Sequence, residues 1–97
     1  MLPKTRIQEI SPLTFCRKIK SAYSGMSLQT VETQESERGT FKEYCSILSQ
    51  ELDIPFKTVQ IKWGPGIEFP NMPQRTRSML KFVLIARLLE MKQIQAA

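Results

Sequence analysis

The side chains best suited to chemistry lie in one short stretch between two helix-breaking signals. Pro55 precedes this stretch, and the tripeptide at residues 64–66, Gly-Pro-Gly, closes it. Amide and hydroxyl groups form specific hydrogen bonds, whereas ammonium groups attract anions. The pattern therefore gathers, on one short helical segment, side chains able to bind a polar or anionic partner. The residues concerned are Lys57, Thr58, Gln60 and Lys62.

The sequence offers little support for catalysis or metal binding. It has no His, no Gly-x-Ser-x-Gly and no Gly-x-x-x-x-Gly-Lys pattern. Cys16 and Cys45 are isolated from each other, so a zinc site would lack conventional ligands. We therefore expect a protein that is not an enzyme and needs no cofactor or metal.

Charge is unevenly distributed along the chain, which carries 14 Lys and Arg against 9 Asp and Glu, a net charge of +5. Met1 to Lys20 and Ile54 to Ala97 are basic, whereas Glu32 to Asp53 is acidic. Basic regions of this kind fit a polyanionic partner. The N-terminus lacks the apolar core of a signal peptide, and both cysteines fall on expected apolar helix faces, so we expect a cytoplasmic protein with buried thiols.

Residues typical of helix ends predict where the first helix begins and ends. Ser11-Pro12 is an N-cap followed by proline at the first helical position, so residues 1–10 form an arm ahead of the first helix. Gly25 is placed to end that helix. Its inward stripe is expected to contain Leu13, Cys16, Ile19 and Tyr23.

The middle of the chain is expected to contain a short helical turn, an exposed loop and a well-defined helix. The turn begins at Ser27 and points Leu28 and Val31 inward, and the polar run 32–39 forms the loop. Thr40 and Glu43 match the capping box of a helix that continues to about Leu52. Its inward residues are Phe41, Tyr44, Cys45, Leu48 and Leu52.

A long helix is predicted for residues 73–94. Its apolar residues between Met79 and Met91 occupy nearly every angular position, so one core-facing stripe cannot account for them. Lys81 and Arg87 interrupt the run, which disfavours a membrane span and favours a homodimer interface. The fold expected for residues 1–97 is a single all-α domain, a small bundle of four to five helices.

A helix-turn-helix is expected at residues 41–63, and its part from Leu48 to Trp63 resembles the motif of phage Cro and repressor-type regulators. The matching positions are Leu48-Ser49, Leu52-Asp53-Ile54, Thr58-Val59 and Trp63, with Asp53 where that family prefers Gly and Trp63 one residue late. The resemblance implies a DNA-binding transcriptional regulator whose second helix enters the major groove of double-stranded DNA. A homodimer would supply the second half-site.

The resemblance also implies roles for individual residues. Gln60 is the candidate for adenine, Lys57 and Lys62 are candidates for phosphate or guanine, and Thr58 can contact either bases or phosphates. The remaining candidates for backbone phosphates are Ser49, Gln50, Arg75 and Arg77.

Two other functions stay open at the level of sequence. A protein–protein adaptor or small subunit of a larger complex would use the apolar last helix and the basic termini to bind a larger protein partner. RNA binding is also compatible with the charge, although the aromatic residues are too scattered for a stacking platform.

Overall fold

The computed structural model describes residues 9–96, with side chains up to residue 92. Helices and turns account for this range, which contains no β-strand, and the predicted all-α class is confirmed. In chain order the elements are α1 (Pro12–Ser24), α2 (Leu28–Thr33), a 3-10 turn (Gln34–Ser36), α3 (Thr40–Leu52), a π-helical segment (Thr58–Trp63) and α4 (Gln74–Ala96).

Both ends of α1 are where the sequence predicts them. The Ser11 hydroxyl accepts a hydrogen bond from the Thr14 amide at 3.1 Å, and Pro12 occupies the first turn. Gly25 ends the helix with φ of +78°, a left-handed conformation that glycine adopts without steric cost. The end of α1 is therefore fixed by local backbone chemistry.

The buried face of α1 differs in part from the predicted stripe. Phe15, Cys16 and Ile19 are fully or almost fully buried, whereas Tyr23 is 53% exposed. Placing Tyr23 in the core was wrong, because its hydroxyl points to the Glu43 carboxylate at 3.4 Å beyond the end of the packed face. Phe15 supplies the large side chain instead.

The segment after α1 is more ordered than the expected exposed loop at 32–39. Val31 is buried as predicted, but Leu28 is 41% exposed. α2 continues to Thr33 and the 3-10 turn follows directly. Glu35 turns its carboxylate toward α1 and α3, whereas Glu32, Thr33 and residues 36–39 are exposed as predicted.

The predicted capping box at the start of α3 is wrong. Gly39 occupies the N-cap with φ of +94°, and no side chain caps the helix. Thr40 lies one position further in, 6% exposed, where its hydroxyl donates to the Glu37 carbonyl at 3.0 Å. Glu43 accepts from the Lys20 ammonium group at 2.7 Å instead of reaching back to the cap.

The core lies where α1 packs against α3 and α4, with the π-helical segment packed on α3. α4 contributes Leu80 and Leu84, and the connection before it contributes Phe69 and Met72. Burial of such side chains provides most of the drive to fold. The other members of the core are Phe15, Cys16, Ile19, Tyr44, Cys45, Ile47, Leu48, Val59 and Trp63.

The opposite side of α4 faces solvent despite being apolar. Its exposed large side chains are Met79, Phe82, Ile85, Leu88 and Leu89. α4 has 23 residues and is therefore about 35 Å long. No helix in the described part of the chain is both long and apolar enough to span a bilayer.

Candidate nucleic-acid interface

A short, internally bonded turn joins α3 to the segment that carries the candidate residues. Asp53 ends α3 with φ of 56° and ψ of 47°, a conformation that Asp tolerates better than most residues. The Ile54 amide donates to the Ser49 carbonyl at 3.1 Å, and the Ser49 hydroxyl donates to the Ile54 carbonyl at 2.6 Å. Ser49 therefore holds the turn together.

The second helix of the motif begins at Phe56 and widens into the π-helical segment at Thr58. Hydrogen bonds from i to i+5 give a wider turn than in an α-helix, so residues four apart lie almost in line. Val59 and Trp63 have this spacing and are 0% and 5% exposed. These two side chains anchor the helix to the core.

The same spacing places a second pair of residues on the opposite side of this helix. Lys57 is exposed there, and Ile61 is 72% exposed. Lys62 is also exposed, whereas Thr58 and Gln60 are half-buried on the flanks. The outward surface combines two cations, two hydrogen-bonding side chains and one apolar side chain.

Asn71 fixes the end of the second helix. Its side-chain amide donates to the Gly64 carbonyl at 2.6 Å, and its backbone amide donates to the Trp63 carbonyl at 3.2 Å. Residue 64 must be glycine or force a local shift, because a β-carbon there would lie 3.0 Å from the Gln60 carbonyl oxygen. The loop between the second helix and α4 is thus part of the site's framework.

Arg77, one of the predicted phosphate contacts, is engaged inside the protein. Its Nε donates to the Met72 carbonyl at 3.1 Å, and its Nη2 donates to the carbonyls of Phe69 and Pro70 at 3.0 and 3.1 Å. A guanidinium with these partners organises the loop. Arg75 is exposed in the same turn of α4.

The start of α4 already has a carboxylate beside it. Glu9 accepts hydrogen bonds from the Gln74 amide at 2.7 Å and from the Ser78 hydroxyl at 3.0 Å. A second anion at this helix end would meet like charge, so Arg75 is the remaining phosphate candidate there. The predicted anion site at the start of α4 loses much of its support.

The predicted site residues form two groups, those available to a ligand and those that bond within the protein. Gln50 is exposed in the last turn of α3, ahead of the outward residues of the second helix. Ser49 and Arg77 have structural partners instead. Ile61 and Asn71 are not among the predicted site residues. The four-residue steps from Lys57 to Ile61 and from Val59 to Trp63 are the only sequence signal for Ile61.

Acidic groups near the interface are few. Asp53 is exposed at the turn, and Glu51 is paired with the Arg87 guanidinium, whose Nε lies 2.9 Å from its carboxylate. Between Asp53 and Trp63 the two exposed lysines, Lys57 and Lys62, therefore outnumber the one acidic residue, Asp53. The local balance attracts an anion.

Apart from Arg87, whose hydrogen bond to Glu51 raises its pKa, the ionisable groups with perturbed pKa values lie on α1, the 3-10 turn and α3. Hydrogen bonds from Arg17 hold the pKa of Glu35 below its ordinary value, although burial opposes them. Burial and the neighbouring Glu35 raise the pKa of Tyr44 well above its ordinary value, and burial raises the pKa of Cys45 to about 11. These groups form a structural network on α1 and α3.

The described residues contain no candidate metal centre. A shallow, open groove lies between α3 and α4, lined by Glu51, Val83, Ala86, Arg87 and Glu90. No three His, Cys, Asp or Glu side chains within residues 9–92 are grouped to hold a metal ion.

Comparison of the chain with protein-family models, curated proteins and solved structures finds no match. Inference about function therefore depends on the residues and geometry of the chain itself.

Proposed function

We propose that this protein binds double-stranded DNA through its helix-turn-helix, with the segment from Phe56 to Trp63 in the major groove. One observation carries the proposal. The second helix is anchored by Val59 and Trp63 and turns two lysines to solvent on its other sides. A helix of this kind can approach base edges while its cations contact phosphates.

Each predicted DNA-binding residue has a role in this proposal. Gln60 hydrogen-bonds an adenine, Thr58 contacts a base or a phosphate, and Lys57 and Lys62 bind phosphates or guanine. Gln50 contacts the backbone from the end of α3. Ser49 and Arg77 act indirectly, by holding the turn and the following loop.

Arg75 adds a phosphate contact from the first turn of α4. We further propose that the protein acts as a homodimer, because one eight-residue helix makes few base contacts and a two-fold dimer doubles them. As a dimeric DNA-binding protein it would regulate transcription. The solvent-facing apolar side of α4 supports this part of the proposal.

A mobility-shift assay with random duplexes at low and moderate salt tests DNA binding. We expect a complex at micromolar protein that weakens as salt rises. Absence of any salt-sensitive complex would refute DNA binding. A duplex selected from the random pool then tests Gln60→Ala, which should reduce the preference for that duplex over scrambled sequence.

A non-enzymatic adaptor is the second candidate function. The exposed apolar side chains of α4 favour it, since contiguous apolar surface marks interaction sites. An adaptor forms a stable complex with a larger protein and is indifferent to duplex DNA. Pull-down in the presence and absence of competitor duplex separates the two functions.

A further inference from the structure

The exposed side of α4 carries a regular apolar pattern. Met79, Phe82, Ala86 and Leu89 follow one another at steps of three, four and three residues, and all four are exposed. Steps of this kind form the seam of a two-helix coiled coil. Ile85 lies beside the seam and is 42% exposed. We call these five residues the α4 seam.

The α4 seam lies opposite the face of α4 that enters the core. Leu80 and Leu84 are 0% and 6% exposed, and at 100° per residue they lie about half a turn from Phe82 and Leu89. α4 is therefore apolar on two sides, and its own domain covers one of them. The second side needs a different partner.

The area of the α4 seam suits a pair of identical chains. Exposures of 42–60% on four large side chains leave on the order of 100 Å² on each, or roughly 400 Å² per chain. Two such faces with the flanking side chains bury about 1,000 Å², which lies at the lower end for a specific interface.

We propose that the α4 seam pairs with the same seam of a second copy of the chain, with the two helices antiparallel. In this arrangement Phe82 of each chain packs on Ala86 of the other, and Met79 packs on Leu89. Every large side chain at the centre then faces a small one, which fills space evenly. Ile85 of one chain lies near Ile85 of the other, beside the two-fold axis.

The parallel, in-register alternative packs less well. It places Phe82 on Phe82 and leaves Ala86 against Ala86, so one layer is crowded and the next has a gap. Antiparallel helices also bring the positive end of each helix dipole near the negative end of the other. The order of large and small residues thus selects the direction of pairing.

The pairing gives geometry to the proposed homodimer but does not depend on DNA binding. The two are therefore measured separately. Sedimentation velocity on the full chain without DNA reports the pairing, and the duplex assay reports DNA binding.

The first experiment compares two apolar-to-acidic substitutions. Phe82→Glu places a charge in the proposed seam, whereas Leu28→Glu makes the same kind of change on α2, where the side chain is 41% exposed. We expect the wild type and Leu28→Glu to dimerise with similar affinity and Phe82→Glu to dimerise at least tenfold more weakly. Because Phe82 is 60% exposed, the variant should keep its helical circular dichroism.

The second experiment determines direction by thiol cross-linking with a short bis-maleimide. Native Cys16 and Cys45 are both 0% exposed, so added thiols dominate the reaction. A mixture of Met79→Cys and Leu89→Cys chains should cross-link efficiently, whereas Met79→Cys alone should cross-link several-fold less, because the two Met79 positions of an antiparallel pair lie about 15 Å apart along the helices. Leu89→Cys alone is the second test, because its two positions are separated by the same distance.

Two results would overturn the inference. A wild-type chain that sediments as an 11 kDa monomer at millimolar concentration has no such pairing. Stronger cross-linking of Met79→Cys with itself than with Leu89→Cys would show a parallel pair. A monomer that still shifts duplex DNA removes the pairing and leaves the DNA-binding proposal standing.

Discussion

Glu35 is the residue whose replacement tests the packing of α1, the 3-10 turn and α3 together. Its carboxylate accepts from Arg17 Nε at 2.6 Å, Arg17 Nη2 at 2.8 Å and the Tyr44 hydroxyl at 2.7 Å. The Glu35 side chain is only 11% exposed. Glu35→Gln leaves the Arg17 charge without its counterion, and such a loss costs about 2–3 kcal/mol.

Stability against pH gives this prediction a second readout. The pKa of folded Glu35 is depressed, so its contribution is present above the unfolded pKa of about 4.3 and is lost as pH falls through the folded value. The difference between wild type and Glu35→Gln should therefore be largest near neutral pH and shrink as the solution becomes strongly acidic.

Urea unfolding followed by circular dichroism measures both effects. At neutral pH, Glu35→Gln should lower the unfolding free energy by about 2–3 kcal/mol, or the melting temperature by roughly 10–20 °C. Glu37→Gln is the matched control, because Glu37 is exposed in the same segment, and it should change little. Equal stability of the wild type and Glu35→Gln at neutral pH would refute the reasoning, as would a difference that does not shrink in acid.

Three further predictions concern the loop before α4 and the buried thiols. Arg77→Met should cost about 1–3 kcal/mol of unfolding free energy because three backbone carbonyls lose their donor, whereas exposed Arg75→Met should stay within about 0.5 kcal/mol, as chemical denaturation can show. Asn71→Ala should cost about 1 kcal/mol and speed amide hydrogen exchange at the end of the second helix, and unchanged exchange there would contradict its capping role. Cys16 and Cys45 should react with a thiol reagent only as the protein unfolds, because both are buried and burial raises the pKa of each; rapid reaction of the folded protein would be inconsistent with this packing.

Features determined by adjacent residues could be predicted from the sequence. Ser11 and Pro12 start α1 through a side-chain cap and a fixed proline φ, and Gly25 ends it, as predicted. The break at Asp53 to Pro55 was also predictable, since a residue before proline disfavours the helical region. Each of these signals acts within a few residues of the backbone it controls.

Features that depend on distant partners could not be predicted in this way. Most of the polar run at 32–39 is exposed as expected, but it is helical up to residue 36, and Glu35 turns inward to bond Arg17, 18 residues earlier. The place of Arg77 at the start of the last helix predicts a phosphate contact, but the fold brings three backbone carbonyls to its guanidinium instead. The sequence also favoured Thr40 as a cap, but Gly39 adopts a left-handed conformation that takes that position.

The candidate interface combines both kinds of feature. Lys57, Gln60 and Lys62 were selected by residue type and by their place after Pro55. Ile61 lies outward because it is two residues, about half a helical turn, from both buried anchors, Val59 and Trp63. DNA contacts at these residues stay a prediction.

The salt dependence of duplex binding tests the central claim most directly. Fluorescence anisotropy with a random 30-base-pair duplex, roughly three helical turns long, measures how the logarithm of the binding constant decreases with the logarithm of the salt concentration. This slope should be less steep by about 1.8 in the double variant Lys57→Gln, Lys62→Gln. The matched control is Lys18→Gln, Lys42→Gln, which removes two exposed charges from α1 and α3 and should change the slope by much less. Equal slopes for the wild type and the Lys57, Lys62 variant would contradict the proposed interface.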